Sequence, residues 1–225
     1  KVTQTAAKAV QTEKYETADF SMTIPKGWTV TTGGTNIYHS IRVYDPAEPL
    51  NQMFVLLKAD VLLHSQAGKE AWQQNYSMGN TQAALFTKAA VLDNPSTEGF
   101  FKIFSQYTAF ASEVEPAYSG YAFPRFDNFT VSDRYPSASP LKSSALGDEQ
   151  LRATFTDNGK EGEGLFAASV VDFGSFAISN GNVVGYQLQA VDGGYYMAYN
   201  IVAVTAAKDT FIEWEAVLTD CFKTL

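Results

Sequence analysis

Hydrophobic and polar residues alternate between residues 16 and 30, as they do in a strand that buries one face. The alternating apolar residues are Phe20, Met22, Ile24, Trp28 and Val30. Pro25 cannot donate a hydrogen bond to a sheet and Gly27 suits a turn, so the first half of the pattern ends there. We expect a hairpin over these residues, or one strand interrupted by a bulge.

Two further apolar runs predict strands in the first third of the chain. Residues 41–44 form a short strand, and the loop at 45–49 contains two prolines, which a paired strand does not accept. Residues 53–63 are strongly apolar and long enough for a central strand. We therefore expect the second run to lie inside the sheet.

Helical spacing appears next, in two segments. Residues 65–77 contain helix formers, with Trp72 and Tyr76 four positions apart on one face. Ser96 or Thr97 is suited to cap a second helix. The apolar positions of that helix are Phe100, Ile103, Phe104, Tyr107, Phe110 and Val114. Residues 81–92, between the two helices, fit either a helix or a strand.

The strongest helical pattern lies at the end of the sequence. Thr210 and Glu213 have the spacing of a capping box, in which side chains and backbone at the helix start exchange hydrogen bonds. The apolar stripe of this helix consists of Phe211, Trp214, Leu218, Cys221, Phe222 and Leu225. We interpret Cys221 as a small core residue, because no cationic or histidine neighbour marks it as a reactive thiol.

Residues 116–150 differ in composition from the rest of the chain, because they are rich in Pro, Ser, Tyr and Phe. We interpret them as a long connection inside one domain, with a strand at 126–131, since their aromatic residues favour burial. From residue 151 onward, four apolar segments alternate with turn signals and predict a four-stranded meander. The turn signals are residues 157–160, 179–182 and 192–194.

The order of these elements indicates an α+β fold, an antiparallel β-sheet flanked by α-helices. Residues 1–14 are small and polar, and we expect a flexible leader followed by a single domain over residues 15–225. Such a leader is typical of a secreted protein that has lost its signal peptide. The alternative is a piece of a longer cytosolic chain.

Both ends of the expected domain carry motifs that are shared with a known fold. Ile24-Pro25-Lys26-Gly27-Trp28 ends the first apolar strand, and the strand at 195–201 precedes the amphipathic terminal helix. These features resemble the opening hairpin and the closing strand and helix of the PsbP-like superfamily, which includes bacterial envelope lipoproteins. The resemblance implies an α/β/α sandwich with a non-catalytic accessory or binding role. It transfers no functional residue to this chain.

Composition excludes several classes of protein. The chain has 225 residues, 45% hydrophobic and 14% aromatic, which is enough to build a core. Its formal charge of −8 argues against nucleic acid as a partner and against a polybasic membrane contact. One cysteine excludes an internal disulfide, and two histidines exclude most histidine-rich metal sites. No apolar run approaches the ~18 residues of a transmembrane helix, and we predict no metal and no other cofactor.

Few residues are candidates for catalysis. His39 and His64 have the chemistry of a general base, but we favour a solvated loop histidine and a strand-end histidine. Three glutamate pairs are spaced by two residues, which on a strand would place both carboxylates on one face. These pairs are Glu113 and Glu115, Glu161 and Glu163, and Glu213 and Glu215. No Gly-x-Ser-x-Gly motif is present, and we predict no catalytic residue.

Two weaker site patterns fall in the second half of the chain. Asp157, Asn158 and Glu161 offer oxygen ligands for calcium, but the Asp-x-Asp-x-Asp-Gly spacing is absent. The glycines near residues 162–164 and 193–194 do not form a phosphate loop, because no Gly-Lys-Ser or Gly-Lys-Thr sequence follows them. Neither pattern predicts a bound ion.

Aromatic residues are the most suggestive feature for binding. They crowd residues 118–129, and Tyr195, Tyr196 and Tyr199 lie on the last expected strand. Exposed rings form contacts with sugars or proteins, whereas core packing is the alternative that we favour for most of them. Tyr118 and Tyr121 are our candidates for an exposed binding contact.

These patterns favour a non-enzymatic secreted or envelope-anchored protein with a binding or accessory role. We expect an extracytoplasmic location and a protein or glycan partner of unknown identity, with a lipid anchor outside the given residues as one form of attachment. A hydrolase acting on cell-envelope or polysaccharide material is an alternative, and it requires convergent carboxylates or a cleft at His64. A carbohydrate-binding module is another, and it requires three coplanar exposed rings.

Overall fold

A computed structural model gives the fold and describes residues 6–35, 38–60, 63–64, 66–79, 87–92, 96–135, 149–179, 182–187 and 196–225. The strands are β1 (Thr12–Glu16), β2 (Ser21–Pro25), β3 (Thr29–Thr35), β4 (Tyr38–Tyr44), β5 (Gln52–Asp60), β6 (Leu63–His64), β7 (Ala90–Val91), β8 (Asp127–Tyr135), β9 (Gln150–Asp157), β10 (Lys160–Ser179), β11 (Asn182–Gln187) and β12 (Tyr196–Ala207). The helices are α1 (Gln66–Ser77), α2 (Thr97–Val114) and α3 (Phe211–Phe222), with a 3-10 turn at Pro116–Tyr118.

The main sheet is antiparallel and has the strand order β3-β4-β5-β12-β10-β9-β8. β11 pairs with the far end of β10. The apolar run expected to form a central strand does so, because β5 lies between β4 and β12. The fold is α+β, as the sequence predicted. None of the helices in the described part of the chain is long and apolar enough to cross a membrane.

The sheet has a hydrophobic core on each face, because its central strands alternate. Phe54 and Leu56 of β5 point to a core that contains α2, which we call the α2 core. Met53 and Val55 point to the opposite core, which contains α3 and the β1–β2 hairpin and which we call the α3 core. The layers are therefore helix, sheet and helix, with the small hairpin beside α3.

Phenylalanine rings fill the α2 core. Phe101 on α2 is completely buried, and its ring contacts four others at centroid distances from 4.8 to 6.0 Å. These rings belong to Phe104, Phe126, Phe129 and Phe166. Edge-to-face contacts dominate, as the quadrupoles of aromatic rings favour. Much of the aromatic segment at 118–129 is thus core, which agrees with the interpretation of a connection inside one domain.

The α3 core contains the terminal helix and the first apolar strand. Trp214 and Trp28 lie 5.3 Å apart between ring centroids, and Met22 and Ile24 of β2 are buried beside them. Cys221 is buried here, which confirms its assignment to the core. Burial raises the pKa of the Cys221 thiol, and the charge of Asp220 acts in the same direction.

The hairpin expected over residues 20–30 is wrong. β2 pairs with β1 and β3 pairs with β4, so the two halves of the alternating pattern belong to different sheets. A turn joins them, in which Gly27 has a φ of +83° and the Trp28 backbone N–H donates to the Pro25 carbonyl at 3.2 Å. The turn chemistry was identified correctly, but local sequence does not specify which strand each half joins.

The flexible leader expected over residues 1–14 is also wrong at its carboxyl end, because residues 12–14 lie in β1. The backbone N–H of Lys8 donates to the Glu213 carbonyl at 2.9 Å, and its ammonium lies 4.5 Å from the Trp214 ring centre. Val10 packs against the α3 core. Contacts with the terminal helix order this polar segment, whereas residues 1–5 lie outside the described residues.

Of the two helix caps predicted from the sequence, one is present and one is not. Ser96 caps α2, because its Oγ accepts a hydrogen bond from the Gly99 backbone N–H at 3.0 Å. The capping box expected at Thr210 is wrong. Its hydroxyl donates to the Ala207 carbonyl at 2.7 Å, and the Glu213 N–H donates to the backbone carbonyl of Thr210. The Thr210 side chain therefore closes the turn before α3 instead of capping the helix.

The meander expected after residue 151 is formed in part. β9 and β10 are joined by the predicted turn, where Asn158 and Gly159 have φ values of +50° and +83°, as a two-residue hairpin turn requires. β12 then pairs with β10 and β5 rather than with β11. Residues 180–181 and 192–194 of the other turn signals lie outside the described residues, and so do residues 81–86 of the ambiguous segment at 81–92.

Candidate functional site

The tyrosines predicted to form an exposed contact are packed in the structure. Tyr118 is only 1% exposed, so an exposed contact there is wrong. Tyr121 is half-buried, and the Ser40 hydroxyl donates to its Oη at 2.7 Å. Burial raises the pKa of the Tyr121 hydroxyl, although the hydrogen bond with Ser40 opposes the shift. The core alternative is therefore confirmed for Tyr118, and Tyr121 packs against the same core.

A glycine of β3 makes room for these two rings. A Cβ on Gly33 would lie 2.8 Å from a ring atom of Tyr121 and 3.2 Å from one of Tyr118. Glycine inside a strand often marks the close approach of another group. The Gly33-Gly34 pair was therefore a sequence signal for the packing of these tyrosines, although it did not indicate which residues would approach.

The described residues offer one exposed aromatic ring among their large exposed apolar side chains. These side chains are Leu57, Met78, Tyr135, Ile212 and Leu225. A carbohydrate-binding module with three coplanar exposed rings is not found among them. Residue 195 and the side chains at positions 196 and 199 lie outside the described part.

A buried arginine is the functional candidate that sequence reasoning missed. Arg42 lies on β4 with 8% exposure, opposite Phe54, on the face of the sheet that forms the α2 core. Its Nε donates to Gln52 Oε1 at 2.7 Å, and its guanidinium carbon lies 4.7 Å from the Tyr44 ring centre. Alternation along residues 41–44 predicted the strand, but it did not indicate that a loop would cover Arg42.

Backbone carbonyls hold the far end of the Arg42 side chain. Nη1 donates to the Ala122 carbonyl at 3.2 Å, and Nη2 lies 3.4 Å from the Pro49 carbonyl. Among the described residues, no carboxylate lies within ion-pair distance of this guanidinium. Burial lowers the pKa of Arg42, although the more distant charge of Asp157 opposes the shift. A positive charge is therefore buried without a direct counter-charge from the described part of the chain.

Arg42 lines an open cavity of about 330 Å³, at the turn between β9 and β10. The cavity wall includes Glu48, Phe123, Asp157, Asn158 and Lys160. Most of its charged groups already have partners. Asp157 accepts hydrogen bonds from the Arg125 backbone N–H at 3.2 Å and from the Asn158 amide at 2.8 Å, while Lys160 lies 3.5 Å from Glu48. Arg42 has hydrogen-bond partners too, but none of its partners among the described residues is a carboxylate.

The calcium ligands considered at this turn are not brought together. Glu161 forms an ion pair with Lys208 at 2.9 Å, while Asp157 binds the Arg125 backbone N–H and the Asn158 amide. Of the two histidines, His39 lies on β4 and lines a different cavity. The backbone of His64 forms β6, but the side chain lies outside the described part. Neither observation supports a general base.

The glutamate pairs do not act as pairs. Glu163 and Glu215, from two different pairs, converge on Arg152 at 2.7 and 3.1 Å. The Arg152 guanidinium also lies 5.1 Å from the Phe211 ring centre. Burial lowers the pKa of Arg152, but the hydrogen bond with Glu163 and the charge of Glu215 outweigh it, so the pKa is raised. Arg152 lies on β9 and Glu163 on β10, whereas Glu215 lies on α3. The ion pairs of Arg152 with both carboxylates therefore attach α3 to the sheet.

We expect the Arg152–Glu215 pair to stabilise the fold measurably. A double-mutant cycle with Arg152→Met and Glu215→Gln should give a coupling free energy of about 1 kcal/mol in urea unfolding, because the pair is partly shielded from water. The exposed pair of Lys88 and Glu113 is the control, and Lys88→Met with Glu113→Gln should give less than about 0.5 kcal/mol. Equal couplings for the two pairs would contradict this role.

Comparison with known proteins adds no family to this description. No protein-family model matches the chain, and no curated protein shows significant sequence similarity to it.

Proposed function

We propose that this is a non-enzymatic binding protein that takes a small organic anion in the Arg42 cavity. One observation carries the proposal: the guanidinium of Arg42 is buried and borders an open cavity, with no carboxylate at ion-pair distance among the described residues. A cavity of this size falls within the range of small-molecule sites.

The Arg42 guanidinium is held by uncharged hydrogen-bond partners alone, as far as the described residues show. Arginine keeps its proton at every physiological pH, so it cannot avoid the cost of burial by becoming neutral. A buried charge is costly unless it is paired and hydrogen-bonded. A carboxylate on a ligand matches the planar guanidinium and would supply the pairing that the described residues do not provide.

The cavity wall offers contacts for the rest of such a ligand. Lys160 at the rim carries a second positive charge with 63% of its side chain exposed. Pro49, Leu50 and Phe123 supply apolar surface that would cover the body of the ligand. The acidic groups Glu48 and Asp157 disfavour a ligand with several negative charges, so we propose a ligand with a single anionic group.

The proposal includes a secreted or envelope-anchored location and a PsbP-like relationship. What supports the location is the proposed relationship, because the PsbP-like superfamily includes bacterial envelope lipoproteins. What supports the relationship is the Ile24-Pro25-Lys26-Gly27-Trp28 motif together with the terminal strand and helix. The anionic group would then be carried by a free metabolite or by a protein or glycan partner in that compartment.

Thermal unfolding with defined anions tests the proposal. We expect D-glucuronate or acetate to raise the Tm relative to chloride at equal ionic strength, because a ligand at 100 times its Kd stabilises the folded state by about 2.7 kcal/mol. Inorganic phosphate, which carries more than one negative charge near neutral pH, should have a smaller effect. Arg42→Met should remove the response.

Two further variants keep this test decisive. Lys160→Met changes only an exposed side chain at the rim and should weaken anion binding roughly three- to tenfold without loss of folding. Arg125→Met removes a nearby arginine that is paired with Asp127, and it should leave the response unchanged. If no anion stabilises the protein beyond chloride, or if Arg42→Met responds like the native chain, the Arg42 cavity is not an anion site.

The hydrolase alternative receives no support from the described residues. Two pairs of carboxylates converge in the described part of the chain, and each pair is bound to an arginine. Glu163 and Glu215 are bound to Arg152, and Glu98 and Glu149 are bound to Arg134. A glycosidase needs one free carboxylic acid and one carboxylate on either side of its substrate.

A further inference from the structure

The α3 core opens to solvent at one end. A cavity of about 400 Å³ lies between the turn before β2, the strands β4 and β5, and the last residues of the chain. Most of its wall is apolar. The residues that matter here are Phe20, His39, Ile41, Val55, Leu57 and Leu225. The cavity is separate from the Arg42 cavity, because the two lie on opposite faces of the sheet.

Strand alternation explains why this wall is apolar. His39 and Ile41 of β4 share a face of the sheet with Val55 and Leu57 of β5. Ile41 and Val55 are buried in the α3 core. Leu57 is the next residue of β5 on the same face, and it is 40% exposed. The row of core side chains therefore continues into the cavity instead of ending at a polar residue.

The carboxyl end of the chain forms the opposite wall. Thr224 Oγ1 accepts a hydrogen bond from the Thr23 backbone N–H at 2.7 Å, which attaches this end to β2. Leu225, next to it, is 44% exposed. Two of the five large exposed apolar side chains in the described part of the molecule thus border this one cavity. Concentrated exposed apolar surface of this kind marks binding sites in soluble proteins.

One nitrogen in the cavity wall lacks a partner. Nδ1 of His39 is shielded from water and has no hydrogen-bond partner among the described residues. A buried polar atom without a partner costs about 1–3 kcal/mol. Because water does not reach Nδ1, a ligand in the open cavity does not reach it either, and the described side chains offer that ligand mainly apolar contacts.

We propose that this cavity binds a small, uncharged apolar molecule. Its hydrocarbon body covers Ile41, Val55 and Leu57. An aromatic hydrocarbon or an arylamine has this chemistry. An anion does not fit, because the charged group among the described wall residues is the carboxylate of Asp19 at the rim, and the apolar remainder of the wall favours a ligand without charge. This site does not depend on the Arg42 cavity.

Fluorescence titration with N-phenyl-1-naphthylamine tests the proposal. This probe is neutral and apolar, has a single N–H group, and becomes fluorescent in apolar surroundings. We expect a saturable increase with one probe per chain. Leu57→Asp should weaken binding at least tenfold, because it places a charge against the apolar body of the probe.

Two control variants show whether the probe binds in this cavity and not elsewhere on the protein. Ile212→Asp places the same charge on an exposed apolar position of α3 outside this cavity and should leave binding unchanged. Arg42→Met should also bind the probe normally, so this proposal and the anion proposal fail independently. Far-UV circular dichroism and thermal unfolding establish that each variant is folded, and Leu57→Asp is chosen because its site is exposed.

Three outcomes would overturn the proposal. The first is the absence of a saturable signal, and the second is equal binding by Leu57→Asp and the native chain. The third comes from sedimentation velocity: a dimer that Leu57→Asp dissociates would mean that a second copy of the chain covers this surface.

Discussion

Replacing Phe101 by alanine should destabilise the protein by about 3–5 kcal/mol. The ring is completely buried at the centre of the α2 core and contacts four other rings, so its removal leaves a cavity that those rings cannot fill without losing their own contacts. A domain of this size has a total stability of about 5–15 kcal/mol, so the variant would lose a large fraction of it. Urea unfolding, followed by tryptophan fluorescence and circular dichroism together, measures the difference.

A control for this prediction lies on the same helix. Gln106 is exposed on α2, and Gln106→Ala should change the free energy of unfolding by less than about 0.5 kcal/mol. Phe101→Leu should fall between the two variants, because it keeps part of the buried volume. A loss below about 1 kcal/mol for Phe101→Ala would show that the α2 core is not packed as described.

Replacing Gly164 by alanine should destabilise the protein by about 3 kcal/mol, although the change adds a single methyl group. The added Cβ would lie 2.4 Å from the Val204 carbonyl oxygen and 2.7 Å from the Thr205 Cγ2. Val204 belongs to β12, which pairs on its other edge with β5, so the nearest atom is backbone held on both sides. Relief would require the separation of β10 from β12 at the centre of the sheet.

Gly162 provides the matched comparison, two residues earlier in the same strand. A Cβ there would meet the ring of Phe155 at 2.3 Å, which is a side chain and not backbone. We expect Gly162→Ala to cost less than Gly164→Ala, and Phe155→Leu to relieve part of that cost. Thermal unfolding of the three single variants and the Gly162→Ala, Phe155→Leu double variant measures this. Equal losses at the two glycines would show that β12 can shift.

Both glycines illustrate what sequence reasoning resolved and what it did not. The absence of a lysine and a serine or threonine after residues 162–164 was sufficient to exclude a phosphate loop. The reason for these glycines was not visible, because it depends on Phe155 and Thr205, which lie elsewhere in the chain and approach only across the sheet.

Some strands and helices could likewise be predicted from the local sequence, whereas others could not. The apolar run at 53–63 and the cap at Ser96 with its helical stripe were sufficient to locate β5 and α2, because both signals are local. β1 was missed, because Thr12–Glu16 is polar and largely exposed. Val10 and Tyr15 both pack against the α3 core, and these contacts decide that β1 pairs with β2. The local sequence contains no pattern that predicts this pairing.

The candidate sites could be predicted from the sequence less well than the strands and helices. Tyr118 and Tyr121 were proposed as exposed because composition does not distinguish a surface ring from a buried one, and packing against Gly33 decides the matter. Arg42 has no sequence signal beyond one charged residue in a short strand. The loop that supplies the Ala122 carbonyl covers it, which converts a surface arginine into a buried charge.

The sequence by itself determined the fold class, the central strand, the three described helices and the burial of Cys221. These depend on the periods of 2 and 3.6 residues and on short-range capping and turn chemistry, which a local window contains. Only the tertiary structure decided which strands pair, which aromatic residues are buried and which polar groups line a cavity. Those properties depend on residues that are far apart in the chain, and burial is a property of all the neighbours of a side chain together.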